Sequence, residues 1–217
     1  MTQPEHPPSP VDLLRDKRAI VDTGLGPVAF VAAYAIWDLN TAIYVAIGIS
    51  VVLMIERLAR RKSVVNAVGG VIGTGIAAFI AHRTGRAEAF FVPRMLIQLG
   101  YGVVFAGSVA IRRPVVGFIV AALYRAEPGW WKLPPVKRAM SEVTIAWSAL
   151  FFLRGTIYAI LIYLAKPGGL AAASLGLGWP AFGLMMFATY RYTPRRLKQL
   201  GAPDPRHEQH ERPEPTP

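Results

Sequence analysis

The chain has 217 residues, 53% of them hydrophobic, a net charge of +11 and no cysteine. This apolar content exceeds that of an ordinary soluble domain, and the charges fall between long uncharged stretches, so the sequence predicts an all-α integral membrane protein. The lack of cysteine excludes disulfides, thiolate metal sites and cysteine nucleophiles.

The positive charge does not indicate nucleic-acid binding. The basic residues stand at the ends of apolar stretches, where membrane orientation accounts for them, and no basic helix offers a reading face. The histidines show no ligand-like spacing, so no metal and no other cofactor is expected. Residues 1–10 and 201–217 are too poor in apolar residues to fold, so they are predicted to be disordered tails around one membrane domain at 11–200.

Six apolar stretches are predicted to cross the bilayer. In chain order they are Leu25–Trp37 with a start as early as Ile20, Thr41–Ile55, Val64–Ala81, Phe90–Ile111, Glu142–Ala165 and Leu170–Tyr190.

A seventh apolar stretch, Val115–Tyr124, has ten residues, or about 15 Å of helix at 1.5 Å per residue. A full crossing needs roughly 20 residues. The stretch is therefore predicted to be a half-depth re-entrant helix or a helix lying on the membrane surface. Trp130 and Trp131 follow it as expected interface anchors.

The distribution of basic residues supports this topology. If Val115–Tyr124 does not cross and the N-terminus is inside, 19 of the 24 Lys and Arg residues lie inside and three outside. If it crosses, ten lie inside and twelve outside. Only the first arrangement obeys the positive-inside rule. The sequence thus predicts about six crossings of the cell membrane with both termini in the cytoplasm.

Arg154 is the most unusual residue, because it lies near the middle of its predicted span, where a charge costs a few kcal/mol. Trp147, Ser148 and Tyr158 share its helix face. Arg154 either bonds carbonyls and polar side chains of neighbouring helices, or binds an anion or a lipid headgroup. No acidic residue of the chain is expected at its depth.

A second polar stripe lies in the fourth span, where Arg94, Gln98 and Tyr101 follow helical spacing. Arg94 is predicted one turn from the outer end, where snorkelling accounts for it. Both polar stripes are also compatible with one shared polar cavity.

A small-residue seam formed by Asn66, Gly69 and Gly73 is predicted to pack helices closely, within one chain or between chains. Gly24–Pro27 and Gly176–Pro180 are either broken-helix elements of the kind that transporters use, or helix-start punctuation or a kink.

The order of several motifs resembles a known family. The motifs are Arg83-Thr84-Gly85, Phe90-Phe91-Val92-Pro93, Tyr101, Arg112-Arg113-Pro114-Val115-Val116-Gly117, Lys137-Arg138-Ala139 with Thr144, Trp147, Phe151 and Arg154, and Gly178-Trp179-Pro180. Together they resemble the uncharacterised actinobacterial membrane family called domain of unknown function 3159, over about Leu14 to Arg196. That resemblance implies no activity.

A fainter likeness is to the intracellular septation protein A family, through Trp147-Ser148-Ala149-Leu150-Phe151-Phe152. This likeness implies a role in the cell envelope, with the bilayer and envelope or division proteins as partners. No catalytic pairing of residues occurs, so a non-enzymatic envelope protein is the first hypothesis. A small transporter or channel for an anionic solute is the alternative, and a lipid-binding or lipid-modifying protein is a weaker one. Substrate and oligomeric state stay open.

Overall fold

The computed structural model describes residues 17–59, 64–124 and 126–204, and only the backbone of 17–25, 57 and 64–67. This part of the chain is all-α, as predicted, and contains no strand. Its α-helices are α1 (Lys17–Ile36), α2 (Leu39–Ala59), α3 (Val64–Thr84), α4 (Val92–Ala110), α5 (Val115–Leu123), α6 (Pro134–Tyr163), α7 (Pro167–Gly176) and α8 (Trp179–Gln199). Two short 3₁₀ helices span Ala87–Phe91 and Trp130–Lys132. The predicted tail 1–10 and most of 201–217 lie outside the described residues.

The fold is that of a multi-pass membrane protein. Within the fully described residues, four stretches are long and apolar enough to cross a bilayer: Leu39–Glu56, Ala87–Ala110, Pro134–Tyr163 and Pro167–Gln199. A fifth, Gly26–Ile36, is apolar but shorter. The side chains in the first turns of α1 and α3 are outside the described set, so this count does not test six crossings.

Two predictions about helices that contain proline need correction. Helix α1 runs without interruption through Gly24 and Pro27, so the broken-helix interpretation of that segment is wrong. Helix α6 begins at Pro134, eight residues before the predicted start at Glu142. Proline suits the first turn of a helix, where its missing N–H leaves no hydrogen bond unmade.

The last predicted span, Leu170–Tyr190, is divided in two. Helix α7 ends at Gly176, and α8 begins at Trp179 and continues nine residues beyond Tyr190. A Cβ on Gly178 would collide with the carbonyl oxygen of Ser174, so only glycine fits this tight turn. Of the alternatives left open for Gly176–Pro180, the structure shows a helix break.

The described chain forms two compact units. Of the described residues, the first unit comprises those within 17–99 and 153–182, and the second comprises those within 100–152 and 183–204. Helices α4, α6 and α8 contribute residues to both units.

The core of the first unit is built on small and aromatic side chains. Alanines on α1, α2 and α3 are buried, which lets these helices pack closely: Ala33, Ala42, Ala46, Ala77, Ala78 and Ala81. The 3₁₀ helix Ala87–Phe91 is entirely buried among them. The ring of Phe90 stacks on that of Phe30, with centroids 4.1 Å apart. This packing brings the start of α4 into the core.

The turn between α1 and α2 is shorter than the gap between the predicted spans, which end at Trp37 and resume at Thr41, because α2 already begins at Leu39. The Asp38 carboxylate accepts a hydrogen bond from the Thr41 backbone N–H at 3.1 Å and another from the Thr41 hydroxyl. Asp38 therefore caps α2. The hydroxyl bond and then the backbone bond from Thr41 hold the pKa of the Asp38 carboxyl below its usual range.

The second unit holds the short helix α5 by its first N–H groups. The Val115 N–H donates to the Ser108 hydroxyl at 3.2 Å, and the Val116 N–H donates to the buried Thr144 hydroxyl at 3.4 Å. Helix α5 has nine residues, about 14 Å, so its predicted shortness is confirmed. Whether it is re-entrant or surface-lying stays a prediction.

The two tryptophans after α5 have different environments. Trp130 is buried, and its indole N–H donates to the carbonyl of Pro203 at 2.9 Å. Its predicted role as an interface anchor is therefore wrong, since a lipid-facing indole would be exposed. Trp131 packs on Phe118, with ring centroids 4.3 Å apart.

Glu142 joins α6 to α8 in the second unit. Its two carboxylate oxygens accept hydrogen bonds from Arg196 Nε and a terminal guanidinium nitrogen at 2.7 and 2.6 Å. The Tyr192 hydroxyl donates to the same carboxylate at 2.7 Å. This acid is fully engaged in the second unit.

Candidate functional site

Arg154 is the centre of the candidate site. It lies on α6, nine residues or about 14 Å before the end of the helix, and is 6% exposed. Its Nε is buried and has no hydrogen-bond partner among the described residues. A buried guanidinium donor without a partner loses its hydration and gains nothing in return.

Arg94 is the second arginine whose charge acts on Arg154. The two guanidinium groups repel each other, and the other ionisable neighbour is Tyr158. Arg94 follows the buried 3₁₀ helix Ala87–Phe91. Arg94 itself is partly buried, and its distance from the outer membrane surface stays a prediction. Two like charges in an apolar setting are unfavourable unless an anion joins them.

A close contact between α4 and α6 joins the segments that carry Gln98 and Arg154. A Cβ on Gly155 would lie 2.5 Å from Leu99 Cδ2 and 3.4 Å from the backbone nitrogen of Leu99. Gln98 and Arg154 each precede a residue of this contact. Gln98 is 7% exposed, and its Oε1 is also without a hydrogen-bond partner among the described residues.

Tyr158 links the site to α7. It is fully buried, and its hydroxyl lies 3.0 Å from the hydroxyl of Ser174. Ser174 donates in turn to the carbonyl of Leu170 at 2.8 Å. No pattern in the sequence marks Ser174, because a serine that bonds its own helix leaves no distinctive spacing. The short helix α7 is thus held against the residue one turn after Arg154.

The buried acid of the first unit is already paired. Glu88, which lies in the 3₁₀ helix and was not singled out from the sequence, is 7% exposed and accepts a bond from Arg86 Nε at 2.6 Å. No acidic side chain is among the electrostatic neighbours of Arg154 within the described residues. No three His, Asp or Glu residues of that part of the chain are placed to hold a metal ion.

Three predicted site residues belong to the second unit and have structural contacts there. The Ser148 hydroxyl donates to the carbonyl of Gly102 at 2.8 Å, and the Trp147 indole N–H donates to the Thr189 hydroxyl at 3.0 Å. Tyr101 is 51% exposed and packs its ring near Phe151, with centroids 5.4 Å apart. The stripe that shares a face with Arg154 therefore falls in two units, and the first unit holds Arg94, Gln98, Arg154 and Tyr158.

The first unit also contains a cavity of about 310 Å³ between α1, α2, α3 and the start of α4. Gly69 and Gly73 line it. Both are exposed, and a Cβ on either would meet no atom within 4 Å. The structure therefore does not place these glycines at a close helix contact within the described chain. The side chain of Asn66 lies outside the described residues.

No curated protein and no solved structure is significantly similar to the chain. The likeness to the septation family thus stays a prediction. A family model described as "Protein of unknown function (DUF3159)" matches residues 16–199, nearly the range that the motif order predicted. The chain belongs to the DUF3159 family of membrane proteins of unknown function.

Proposed function

We propose that the protein is a non-enzymatic membrane protein of the cell envelope that binds an anionic group at Arg154 and Arg94. One observation carries the proposal: a buried guanidinium with an unpaired Nε faces the repulsion of a second guanidinium, with no acid as neighbour among the described residues. A charge in the bilayer interior is costly and usually marks a ligand or ion site. A bound anion would offset both the desolvation and the repulsion.

The chemistry of the site favours a phosphate or a carboxylate as the anionic group. Guanidinium groups offer several N–H donors in a planar fork, which matches the oxygens of these anions. The unpaired Nε of Arg154 and the guanidinium of Arg94 thus have the capacity to bind one oxyanion.

Binding is better supported than catalysis. The ionisable neighbours of Arg154 are a tyrosine and an arginine. Their pKa values in water, about 10 and above 12, make neither a good base at neutral pH. Holding an anion requires no proton transfer. The faint likeness to a septation family supports the envelope as the setting.

The test uses inorganic phosphate as the probe at constant ionic strength. Phosphate at 100 times its Kd should stabilise the wild-type protein by about 2.7 kcal/mol in neutral detergent, measured as a rise in thermal midpoint. Arg154→Met and Arg94→Met should abolish this rise. Arg113→Met is the matched control, since Arg113 is exposed in the second unit, and it should leave the rise intact. Equal stabilisation of all four proteins would refute the anion site.

Transport of an anionic solute is the second candidate. The observation that favours it is the helix break after α7, because this short helix contacts the site through Ser174 and Tyr158. Transporters build their sites from such interrupted helices. Phosphate uptake into proteoliposomes that is lost in Arg154→Met would support transport. If phosphate binds but its uptake does not depend on Arg154, the transport proposal fails and the envelope role is retained.

Six crossings with both ends in the cytoplasm belong to the same proposal. Cysteine accessibility tests them, because the natural chain has no cysteine. In intact cells, an impermeant reagent should label Thr84→Cys and Gly168→Cys and should not label Glu127→Cys. Labelling at residue 127 from outside would show that α5 crosses the membrane.

A further inference from the structure

The cavity of the first unit has the size and lining of a small ligand site. Its volume of about 310 Å³ is at the lower end of the range of roughly 300–1,000 Å³ for ligand pockets. That is the liquid volume of about ten water molecules, room for part of one alkyl chain. Most lining side chains are apolar, including Leu53, Met54, Phe90, Phe91 and Ile97.

Arg94 is the only charged residue among the described residues that line the cavity. The other two polar side chains of the lining are Ser50 and Thr74, and the Ser50 hydroxyl donates to that of Thr74 at 2.8 Å. Thr74 donates to the carbonyl of Gly70 at 3.0 Å. The two hydroxyls therefore satisfy each other and the backbone, and the guanidinium of Arg94 is left to interact with an occupant.

On the α3 side, glycines line the cavity, so the backbone itself forms part of the wall. Gly69, Gly70 and Gly73 of α3 are exposed, and an added Cβ at each would meet no protein atom within 4 Å. Glycine weakens a helix by about 1 kcal/mol relative to alanine. Here it leaves open space in a cavity that Arg94 also lines.

We propose that the cavity holds the alkyl chain of a lipid whose anionic headgroup, a phosphate or a carboxylate, is bound by Arg94 next to Arg154. This inference rests on the proposed anion site and adds the nature of the molecule that carries the anion. A small soluble anion would leave the apolar walls without contacts, whereas an alkyl chain would fill the open space beside the glycines and pack against these walls. A neutral lipid would leave Arg94 without a counter-charge.

The experiment compares three probes on the full-length protein in phosphatidylcholine nanodiscs: dodecyl phosphate, inorganic phosphate and dodecyl maltoside. Affinities are measured from the thermal midpoint against probe concentration. Dodecyl phosphate should bind at least ten-fold more tightly than inorganic phosphate, and dodecyl maltoside should not bind measurably. Equal affinity for dodecyl maltoside and dodecyl phosphate would overturn the inference.

Filling the cavity tests the contribution of the lipid's alkyl chain to binding apart from that of its headgroup. Gly73→Leu places a side chain in open space, and we expect it to weaken dodecyl phosphate binding at least ten-fold while leaving inorganic phosphate unchanged. Gly69→Leu is a second variant of the same wall, in case one leucine perturbs α3. Gly107→Leu is the matched control, because a Cβ there also meets no atom within 4 Å and the residue does not line the cavity.

Arg94→Met distinguishes a failure of the lipid inference from a failure of the proposed anion site. It should weaken dodecyl phosphate and inorganic phosphate alike. If phosphate binding depends on Arg94 while both leucine variants bind dodecyl phosphate like the wild type, the lipid inference fails and the anion site stands. If phosphate binding depends on neither arginine, the proposed function fails and takes the inference with it.

Discussion

Buried polar side chains are treated differently in the two units. In the second unit, Ser148, Thr144 and Trp147 each donate a hydrogen bond within 3.0 Å, and Thr193 is the exception with an unpaired hydroxyl. In the first unit, Arg154 Nε and Gln98 Oε1 are buried and unpaired. A hydroxyl can bond a carbonyl of its own helix, as Thr144 does with Met140. A guanidinium or an amide has more polar atoms than the local backbone can satisfy, so it needs a tertiary partner or a ligand.

Glycine has two different consequences on these helices. In the second unit, a Cβ on Gly102 would lie 3.0 Å from the ring of Phe152, and one on Gly117 would lie 3.3 Å from Met140 Cγ. These glycines permit tight packing. In the first unit Gly155 does the same against Leu99, whereas Gly69 and Gly73 face open space. A glycine on a membrane helix therefore indicates either a contact or a cavity, and only the neighbours decide which.

The largest expected effect comes from removing one buried polar group from each unit, because the two removals should change stability in opposite directions. Without a ligand, Arg154→Met should make the protein about 1–3 kcal/mol more resistant to unfolding, because an unpaired buried charge disappears. Thr144→Val should cost about 1–3 kcal/mol, since it leaves the N–H of Val116 without its acceptor. Unfolding by added dodecyl sulfate, followed by circular dichroism, measures both changes. Loss of stability in Arg154→Met would mean that its guanidinium is already satisfied.

A second contrast concerns the two kinds of glycine. Gly155→Ala forces Leu99 and the nearby backbone apart, so it should cost about 1–3 kcal/mol. Gly107→Ala meets open space and should be neutral or gain up to about 1 kcal/mol from the better helix propensity of alanine. The same unfolding assay compares them. If both substitutions are neutral, the contact between α4 and α6 is looser than the structure shows.

A smaller contrast compares an unpaired amide with a paired hydroxyl. Gln98→Leu removes a buried oxygen that has no partner among the described residues, so it should be neutral or stabilise by up to about 1 kcal/mol without ligand. Ser148→Ala removes the bond to Gly102 and should cost about 1 kcal/mol. Equal destabilisation by the two variants would place Gln98 among the structurally satisfied residues.

Much of the fold follows from hydropathy, because the transfer of side chains into an apolar medium governs where membrane helices form. The short length of α5 was predictable, since Arg112, Arg113 and Pro114 stop the preceding helix and α5 has too few residues to span. The break before α8 was ambiguous. Gly178 is consistent with a kink or with a break, and the tight approach to Ser174 that decides it is a tertiary feature.

The site was predictable only in part. The midspan position identified Arg154, and helical spacing identified Gln98 and Tyr158. The same spacing also selected Trp147 and Ser148, because a helix face is continuous whereas its neighbours change along its length. The cavity gave no signal in the sequence. The pattern Gly69-x-x-x-Gly73 is the same whether another helix or open space lies opposite.

The smallest expected effect concerns Asp38, a residue of the first unit whose carboxylate is hydrogen-bonded at the exposed turn between α1 and α2. Asp38 caps α2 through Thr41, so Asp38→Ala should lower the thermal midpoint slightly at pH 7. The folded-state pKa of Asp38 is depressed, so its stabilisation is complete above the unfolded pKa of about 4 and is lost as the pH falls through the folded value. The difference between wild type and Asp38→Ala should therefore shrink on acidification.

Thr41→Val, which removes only the hydroxyl bond, should show a weaker version of the same trend. A difference that is constant with pH, or that grows in acid, would mean that the charge of Asp38 does not stabilise the turn, and the contrast between paired and unpaired polar groups would not extend to the rim of the first unit.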